Sequence, residues 1–409
     1  MNTLIDMAFM HSNRWRYILH PDKCVALTYG DTSNSKFNFK LGEENIKNVT
    51  SALHVGIPLS TSGNVKDHVA RASSNGKRKM YSLFGLGSKS GGLTPIVSAK
   101  LYNSFSIPTM LYGDQIIDYK RGEIEQLEVT QRQICRRIQF LPKNSSNPTS
   151  IMPLGIMPIQ MKIMYDRLLM FFGILCLPMN NIYKQLMMLR LTQIVTSSLP
   201  SWNSPISRMW QCVQRFNLEE AVIEMLTSAI FPTKPAWKLK IRDLIGCEIR
   251  RDFRTTSSMY NRHEICQNIC DISETSAGLM KPTAWWTLSR LKPELLLPCK
   301  NIMRLATDCH DLRVKNSGIN CICVLCDLFE IETIDHFLNS CNAYSDEHAK
   351  LTLITRKYIN AYSRTSVLFA FNEVNVDRED MIEISKIILS MTNKRSRMMR
   401  AYVGNTGCS

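Results

Sequence analysis

The sequence has no hydrophobic run long enough to cross a membrane. Its most apolar stretch, LLMFFGILCLP at residues 168–178, is well short of the roughly 20 residues that a spanning helix needs, and it predicts a buried helix. A secretory signal has a basic segment ahead of an apolar core, and the N-terminus of this sequence lacks that pattern. We therefore expect the protein in the nucleus or cytoplasm, and not secreted.

The sequence also lacks a recognisable set of catalytic groups. No predicted strand carries paired aspartates of the kind that hold two metal ions for nucleotidyl transfer, and no Ser/His/Asp or Cys/His arrangement has a local signature. The acidic run DRED at residues 377–380 opens a predicted helix, where acids suit the helix dipole. The glycine-rich GLGSKSGG at 85–92 lacks the spacing of a phosphate loop and is typical of a flexible linker. We assign no catalytic residue.

Acidic residues are scarce relative to basic ones. The 409 residues include 50 Lys and Arg against 35 Asp and Glu, which gives a formal net charge of +15. This balance favours an anionic partner, with nucleic acid as the first candidate. The alternative is a basic but otherwise ordinary globular protein. Hydrophobic residues make up 44% and charged residues 21%, so the chain can bury a sizeable core and is not of the disordered class.

Cysteines are scattered along the chain except for one cluster. Cys323, Cys326, His336 and Cys341 form the pattern Cys-x2-Cys-x9-His-x4-Cys. Sulfur and imidazole nitrogen are zinc ligands, and four protein donors fill a closed tetrahedral shell, so the pattern predicts a structural Zn²⁺ site. The first pair is expected on a tight turn and the second on a short helix. Two alternatives stay open: Cys321 replaces Cys323, or the thiols are simply buried and His336 is an ordinary helix residue.

Basic side chains are concentrated in two stretches. Residues 71–143 contain twelve Lys or Arg against five Asp or Glu, and residues 234–254 contain seven against three. Such side chains neutralise phosphates, and the interleaved Trp237 and Phe253 could stack on unpaired bases. The alternative for each stretch is a solvated helix face. The predicted nucleic-acid contacts are Lys77, Arg78, Lys79, Arg132, Arg136, Arg137, Lys143, Lys238 and Lys240.

The order of patterns predicts an α+β protein that is predominantly α-helical. Residues 1–60 contain a short helix, two β-prone runs at 24–29 and 37–41, and a bend at Gly56 and Pro58. Residues 61–143 form a helical region in three pieces, whose last helix has apolar positions on one face and stops at Pro142. Residues 144–300 form a helical connector, 301–350 the small zinc-binding module, and 351–409 a helical basic tail.

Five segments, in order along the chain, resemble the C-terminal part of the polymerase protein of non-LTR (LINE-type) retrotransposons. They are SNRWRYILHPDKCVALTYG (12–30), HVGIPLS (54–60), GLTPIVSAKLYNSFSIPTMLYG (92–113), LEVTQRQICRRIQFLP (127–142) with PLGIMPI (153–159), and the CxxC…HxxxxC cluster. In that family they belong to the segment after the catalytic palm strand, the primer-grip hairpin, the thumb, the elements that follow it and the C-terminal zinc-binding domain. The resemblance therefore implies a palm remnant at 1–60, a thumb at 61–143 and nucleic acid as partner.

The chain departs from that family at the catalytic step. The family's metal-binding aspartates lie on a YxDD hairpin, and no YxDD occurs in this sequence. Lys23 matches a lysine thought to assist pyrophosphate departure, but here it would have no aspartates to assist. The resemblance thus implies a truncated reverse transcriptase that binds RNA template or target DNA without polymerising on its own. Mg²⁺ would matter only if an upstream catalytic palm were supplied.

Two other functions stay open at the level of the sequence. The chain is part of an intact RNA-directed DNA polymerase whose upstream half is missing from it, or it is a zinc-stabilised protein-interaction module. A decayed relic with no selected role is a further possibility that the sequence does not decide.

Overall fold

The computed structural model describes residues 2–20, 23–29, 38–87, 92–196, 204–259, 263–273, 276–315, 321–358 and 361–406. Within them the protein is a predominantly helical α+β fold, which confirms the predicted class. Residues 88–91, which are half of the predicted glycine-rich linker at 85–92, lie outside the described residues.

The N-terminal segment combines one helix with short strands. Helix α1 (Asn2–Arg14) is followed by β1 (Val25–Ala26), β2 (Lys40–Leu41), β3 (Glu44–Asn45), β4 (Lys47–Asn48), β5 (Ser51–His54) and β6 (Ile57–Ser60). Strand β1 pairs in parallel with β4, while β2–β3 and β5–β6 are antiparallel. The strand predicted at 24–29 is therefore only two residues long, and the start of the one predicted at 37–41 lies outside the described residues.

The bend predicted in HVGIPL is the two-residue turn of the β5–β6 hairpin. Val55 and Gly56 both have positive φ, at 50° and 78°, which is the backbone geometry of a type I′ turn. The side-chain hydroxyl of Tyr112 donates a hydrogen bond to the Val55 carbonyl at 3.2 Å. The turn is therefore at 55–56 and not at Pro58, and it contacts the helical region that follows.

In the described part of the predicted thumb region, four α-helices surround a buried face. They are α2 (Lys66–Ser82), α3 (Pro95–Leu101), α4 (Ile107–Met110) and α5 (Arg121–Ile138). A π-turn at Tyr102–Ser106 joins α3 to α4 without a break, so these two form one continuous helical segment. Gly76 lets α2 approach α4 closely, because a side chain at this position would collide with Met110.

Helix α5 ends four residues before the predicted proline stop. Phe140 takes a left-handed φ of 63°, and the Leu141 amide donates to the Arg136 carbonyl at 2.9 Å. This six-to-one bond is the Schellman closure, which ends a helix by backbone hydrogen bonding. The prediction that Pro142 terminates the helix was therefore wrong about the cause, because α5 ends at Ile138, before the chain reaches Pro142.

Twelve further α-helices lie in the described parts of the connector and the C-terminal region. They are α6 (Asn147–Ile151), α7 (Ile159–Leu175), α8 (Ile182–Thr196), α9 (Pro205–Arg215), α10 (Glu219–Ser228), α11 (Lys234–Ser258), α12 (Glu264–Ile269), α13 (Ala284–Leu291), α14 (Leu296–Ala306), α15 (Ser345–Thr355), α16 (Arg364–Leu368) and α17 (Arg378–Thr406). The apolar run at 168–178 begins in α7, where Leu168, Phe171 and Leu175 are fully buried as predicted. No helix among the described residues is long and apolar enough to cross a membrane.

One continuous hydrophobic core links the predicted thumb, the connector and the metal-site region. It runs from Val65 to Met391, so the predicted boundaries at 143 and 300 do not separate independent cores. Two buried tryptophans of α13 tie distant parts together: the Trp286 indole donates to the side-chain oxygen of Gln139 at 3.1 Å, and that of Trp285 to the Phe369 carbonyl at 2.7 Å. The predicted domain boundaries remain predictions.

Candidate metal centre

The four predicted ligands come from two short elements that fold back on each other. Cys323 and Cys326 lie on a loop closed by an antiparallel bridge between Ile322 and Ile331. His336 begins a single π-turn that ends at Ser340, and the Cys341 amide donates to the His336 carbonyl at 2.9 Å. A π-turn closes its hydrogen bond over five residues, so it brings His336 and Cys341 together. The expected tight turn and short helix are both present.

The ligand atoms lie close enough together to share one metal ion. All four lie within 4.8 Å of one another. Sγ of Cys323 is 3.9 Å from Sγ of Cys341, and Sγ of Cys326 is 3.4 Å from Nε2 of His336. Zinc bonds of about 2.3 Å to sulfur and 2.0–2.1 Å to nitrogen give tetrahedral edges of about 3.8 and 3.6 Å. The cluster could therefore hold a metal ion, and its donor set is compatible with zinc.

A neighbouring carboxylate fixes the orientation of the histidine. Nδ1 of His336 is 2.8 Å from Oε2 of Glu330, and because a carboxylate only accepts, this contact favours the tautomer whose Nδ1–H donates a hydrogen bond to Glu330. Nε2, which lies 3.4 Å from Sγ of Cys326, is then left with its lone pair free to bind a metal. Metal-binding histidines usually have such a carboxylate or carbonyl partner, which fixes the tautomer and raises ligand basicity. The sequence pattern named the ligands but did not single out Glu330.

Burial controls the protonation of the thiols. It raises the pKa of Cys341 and of Cys323, and the adjacent Cys326 thiol raises the pKa of both further. Neighbouring thiolates also repel each other, so Cys323 and Cys341 favour the protonated form. A divalent cation reverses that preference because it stabilises all three thiolates at once.

Cys323, and not Cys321, completes the group of four. Cys321 lies two residues earlier, where its carbonyl accepts a hydrogen bond from the Glu332 amide at 3.0 Å. Two nearby histidines are engaged elsewhere: His348 contacts the Phe337 carbonyl through Nε2, and Nδ1 of His310 accepts from the Leu312 amide. The alternative ligand set left open by the sequence is therefore not the one that the fold assembles.

A buried ion pair joins the metal-site loop to the last helix. Arg395 of α17 contacts both carboxylate oxygens of Glu332, with Nε–Oε1 and Nη2–Oε2 distances of 2.7 Å each. The Arg313 amide donates to the same carboxylate at 2.8 Å. Phe337, the second residue of the π-turn, packs edge-on against Tyr344 with ring centroids 5.2 Å apart. The candidate metal site is therefore fixed to α17 and to the main core.

Comparison with known protein families, curated proteins and solved structures finds no match. Any function must therefore be argued from the chain's own residues and their surroundings.

The predicted nucleic-acid contacts on α2 and α5 fall into two groups. Arg78 and Lys79 are exposed near the end of α2, next to the half-buried Lys77. The Arg137 guanidinium lies 4.8 Å above the Tyr81 ring, which brings the basic ends of α2 and α5 together. Exposed Lys143 follows on the loop after α5.

Two of the predicted contacts are engaged inside the protein. Arg132 is buried and forms salt bridges with Glu125 and with Glu128, the latter at 3.3 Å. The half-buried Arg136 donates to the Ser145 carbonyl at 2.8 Å and to the Asn147 side chain at 2.8 Å. Arg132 therefore ties together two turns of α5, and Arg136 ties the end of α5 to the following loop, so the functional argument rests on the exposed cations.

The basic stretch on α11 has a different environment from the one expected. Lys238 and Lys240 are exposed, but Trp237 and Phe253 are buried in the core. Trp237 stacks on Phe172, with centroids 4.8 Å apart and planes 13° from parallel. The expectation that these aromatics could stack on bases was wrong, because the apolar periodicity of the helix turns them inward.

Proposed function

We propose that this chain is a nucleic-acid-binding protein whose C-terminal module is held by a structural zinc ion. The observation that carries the proposal is the meeting of the basic ends of α2 and α5, where Arg137 lies on the Tyr81 ring and Lys77, Arg78 and Lys79 occupy the adjacent turns. Clustered cations on one surface neutralise phosphates and provide most of the sequence-independent affinity for nucleic acid.

Zinc is the metal that the donor set favours. Three thiolates and one imidazole in a tetrahedral arrangement match a structural zinc site. This donor set does not match metals that prefer softer ligands or larger coordination shells. Four protein donors leave no coordination position for an activated water, so the ion would organise the fold and not the chemistry. Residues Cys323, Cys326, His336 and Cys341 would hold it.

The proposed evolutionary context is the C-terminal part of a non-LTR retrotransposon reverse transcriptase. The antiparallel hairpin formed by HVGIPLS and the helices formed by the two thumb-like segments support this assignment. The chain contains no YxDD, so we propose that it binds RNA or target DNA without extending a primer by itself. An in-frame YxDD in the upstream genomic sequence would instead indicate part of an intact polymerase, with Mg²⁺ in the upstream palm.

A protein-interaction module is the second candidate. Helix α8 favours it, because Ile182, Leu186 and Leu189 are exposed at spacings that place them on one helical face. Such an apolar face is typical of a contact with another protein. This candidate would be preferred if the purified chain binds neither RNA nor DNA.

The experiment that tests nucleic-acid binding is fluorescence anisotropy with a labelled single-stranded oligonucleotide. The triple variant Lys77→Gln, Arg78→Gln, Lys79→Gln is compared with a control triple variant that removes the same charge elsewhere, Lys281→Gln, Lys350→Gln, Lys386→Gln. We expect the α2 variant to lose roughly tenfold or more in affinity at moderate salt and the control about twofold or less. Equal losses would show that binding does not use the α2 surface.

A primer-extension assay tests the proposed lack of polymerase activity. The purified chain is incubated with an RNA template, a DNA primer, deoxynucleotides and Mg²⁺. We expect no extension, because the chain lacks the family's aspartates, and robust extension would overturn the proposal.

A further inference from the structure

A cavity lies between the π-turn of the candidate metal site, the loop after α14 and helices α12 and α16. Its volume is about 320 Å³, within the range of about 300–1,000 Å³ that is usual for ligand sites. Its apolar wall is formed by Ile265, Val314, Ile334 and Leu338. Nothing in the proposed function uses this cavity.

The charged side chains that line the cavity are acidic. They are Glu264, Asp308 and Asp335, and no Lys or Arg is among the described residues of the lining. His310 also lines the cavity, but its Nδ1 accepts a hydrogen bond from the Leu312 amide, so the ring is neutral and its Nε2–H donates to Asp308 at 3.3 Å. The described lining therefore carries three negative charges and no positive one.

Two of these carboxylates form no salt bridge with the rest of the described chain. Asp308 is paired with Lys315 at 3.5 Å. Asp335 accepts a hydrogen bond from the neutral side-chain amide of Asn339, and Glu264 is exposed at the start of α12. A cation in the cavity would therefore meet two carboxylates that no salt bridge neutralises.

A buried acceptor is a second, independent sign that a donor is missing. Asn339 lines the cavity, and its Oδ1 is buried without a hydrogen-bond partner among the described residues. Arg364 of α16 is directed elsewhere, to the Thr352 hydroxyl at 2.7 Å and the His348 carbonyl at 3.4 Å. Buried polar atoms are nearly always paired, so an N–H donor bound in the cavity would satisfy this oxygen.

The surrounding metal-site region is acidic although the whole chain carries +15. Residues 321–349 contain six Asp or Glu and no Lys or Arg. Helix α17 neutralises two of the six, Glu332 through Arg395 at 2.7 Å and Glu347 through Lys394 at 3.2 Å. Three thiolates and a neutral imidazole around Zn²⁺ would add one more negative charge. This surface therefore repels phosphates and attracts a cationic partner.

We propose that the cavity docks a lysine or arginine side chain from a basic segment of another protein. The apolar stem of such a side chain would pack on the apolar wall, and its charged head would lie among Glu264, Asp335 and the Oδ1 of Asn339. Charge complementarity selects a basic protein segment over nucleic acid. The inference goes beyond the proposed function, because it gives the metal-site region a protein partner while α2 and α5 contact nucleic acid.

The test uses the zinc-loaded full chain and a fluorescent peptide with one lysine between leucines. A matched peptide has norleucine in place of the lysine, which keeps the stem and removes the charge. The cavity variant is Glu264→Gln, Asp335→Asn. The control is Asp327→Asn, Asp346→Asn, two exposed carboxylates of the same region outside the cavity lining. The variant Thr365→Phe fills the cavity and leaves its charges unchanged.

Anisotropy gives the affinities, while zinc content and melting temperature verify that each variant is folded. We expect the lysine peptide to bind roughly tenfold more tightly than the norleucine peptide, because two charge pairs are lost with the lysine. The cavity variant and Thr365→Phe should each lose roughly tenfold for the lysine peptide, and the control about twofold or less. Oligonucleotide affinity of the cavity variant should stay within about twofold of wild type, so this inference and the proposed function fail separately.

Failure of the lysine peptide to bind would overturn the inference, as would equal affinity for the two peptides or equal losses in the cavity and control variants. Displacement of the peptide by cadaverine at comparable concentration would assign the cavity to a small free amine. Self-association of the wild-type chain that the cavity variant abolishes, measured by sedimentation velocity, would assign it to a second copy. Either of these results would contradict docking of another protein.

Discussion

The imidazole of His336 shows how a single side chain connects the metal site to its surroundings. Its Nε2 lies 3.4 Å from the Cys326 thiol, and its Nδ1 is hydrogen-bonded to Glu330. The four ligands could be predicted because residue type and spacing alone define a zinc pattern. Glu330 could not, because its distance from His336 depends on how the bridged loop at 322–331 folds over the π-turn.

Zinc content is the first prediction at the residue scale. Freshly purified, reduced protein should contain about one zinc per chain, and Cys326→Ser should lower both the zinc content and the melting temperature, since the metal stabilises the local fold. Elemental analysis with thermal unfolding measures both. A chain with little zinc, unchanged by Cys326→Ser, would contradict the metal assignment.

The second residue-scale prediction concerns Glu330. The variant Glu330→Gln weakens the hydrogen bond that orients His336, so zinc affinity should fall about 10–100-fold. The matched control is Asp327→Asn, which removes a similar exposed charge next to Cys326 without contacting His336. Competition with a chromophoric chelator measures the affinities. A similar decrease in both variants would indicate a general charge effect and not orientation of the ligand.

The third residue-scale prediction concerns Asp114. Its side chain is fully buried, and neither of its carboxylate oxygens has a hydrogen-bond partner among the described residues. Burial raises its pKa to about 8, and nearby Asp166 contributes. The native state therefore binds this proton more tightly than the unfolded chain does. The protonated Asp114 therefore contributes its full stabilisation of the fold at acidic pH, and this contribution is lost as pH rises towards 8.

Asp114→Asn should remove that pH dependence. The free energy of unfolding of the variant relative to wild type should rise between pH 5 and pH 8, by about 2 kcal/mol or more. Urea unfolding of both proteins at the two pH values gives the difference, in which other titrating groups cancel. A constant difference would show that Asp114 is ionised throughout.

At the scale of secondary-structure elements, the sequence predicted where helices occur better than where they end. The apolar face of α5 is buried as expected at Leu127, Ile134 and Ile138. Its end is set by a left-handed Phe140, a residue type with no intrinsic preference for that conformation, so no local signal marked it. The same limit applies to the inward-facing Trp237, because a basic helix with regularly spaced aromatics predicts either a core face or a binding face.

Docking of α17 on the metal-site region gives a prediction at this scale. Arg395→Met leaves Glu332 buried without its charged partner and should destabilise the protein by about 3–5 kcal/mol. The control Lys386→Gln breaks an exposed pair with Glu383 and should cost less than about 1 kcal/mol. Chemical denaturation measures both. The double variant Glu332→Gln, Arg395→Met should recover part of the lost stability. Equally small effects of Arg395→Met and Lys386→Gln would contradict the role of the Glu332–Arg395 pair.

At the scale of the whole molecule, the fold joins segments that the sequence treats as separate. The hydrogen bonds of Trp285 and Trp286 span 84 and 147 residues. Contacts at such separations depend on tertiary packing, and no local pattern indicates them. The class of fold could be predicted because helical periodicity is local, whereas the continuous core across the predicted boundaries could not.

The net charge of +15 is the whole-molecule property on which the proposed function depends. The most direct test measures how the affinity of the zinc-loaded chain for a single-stranded oligonucleotide changes with salt. If several exposed cations contact phosphates, log K should fall linearly with log salt concentration, with a slope of about −0.7 per phosphate contact and about −2 or steeper overall. Affinity that stays constant from low to high salt, or no binding at low salt, would contradict the account.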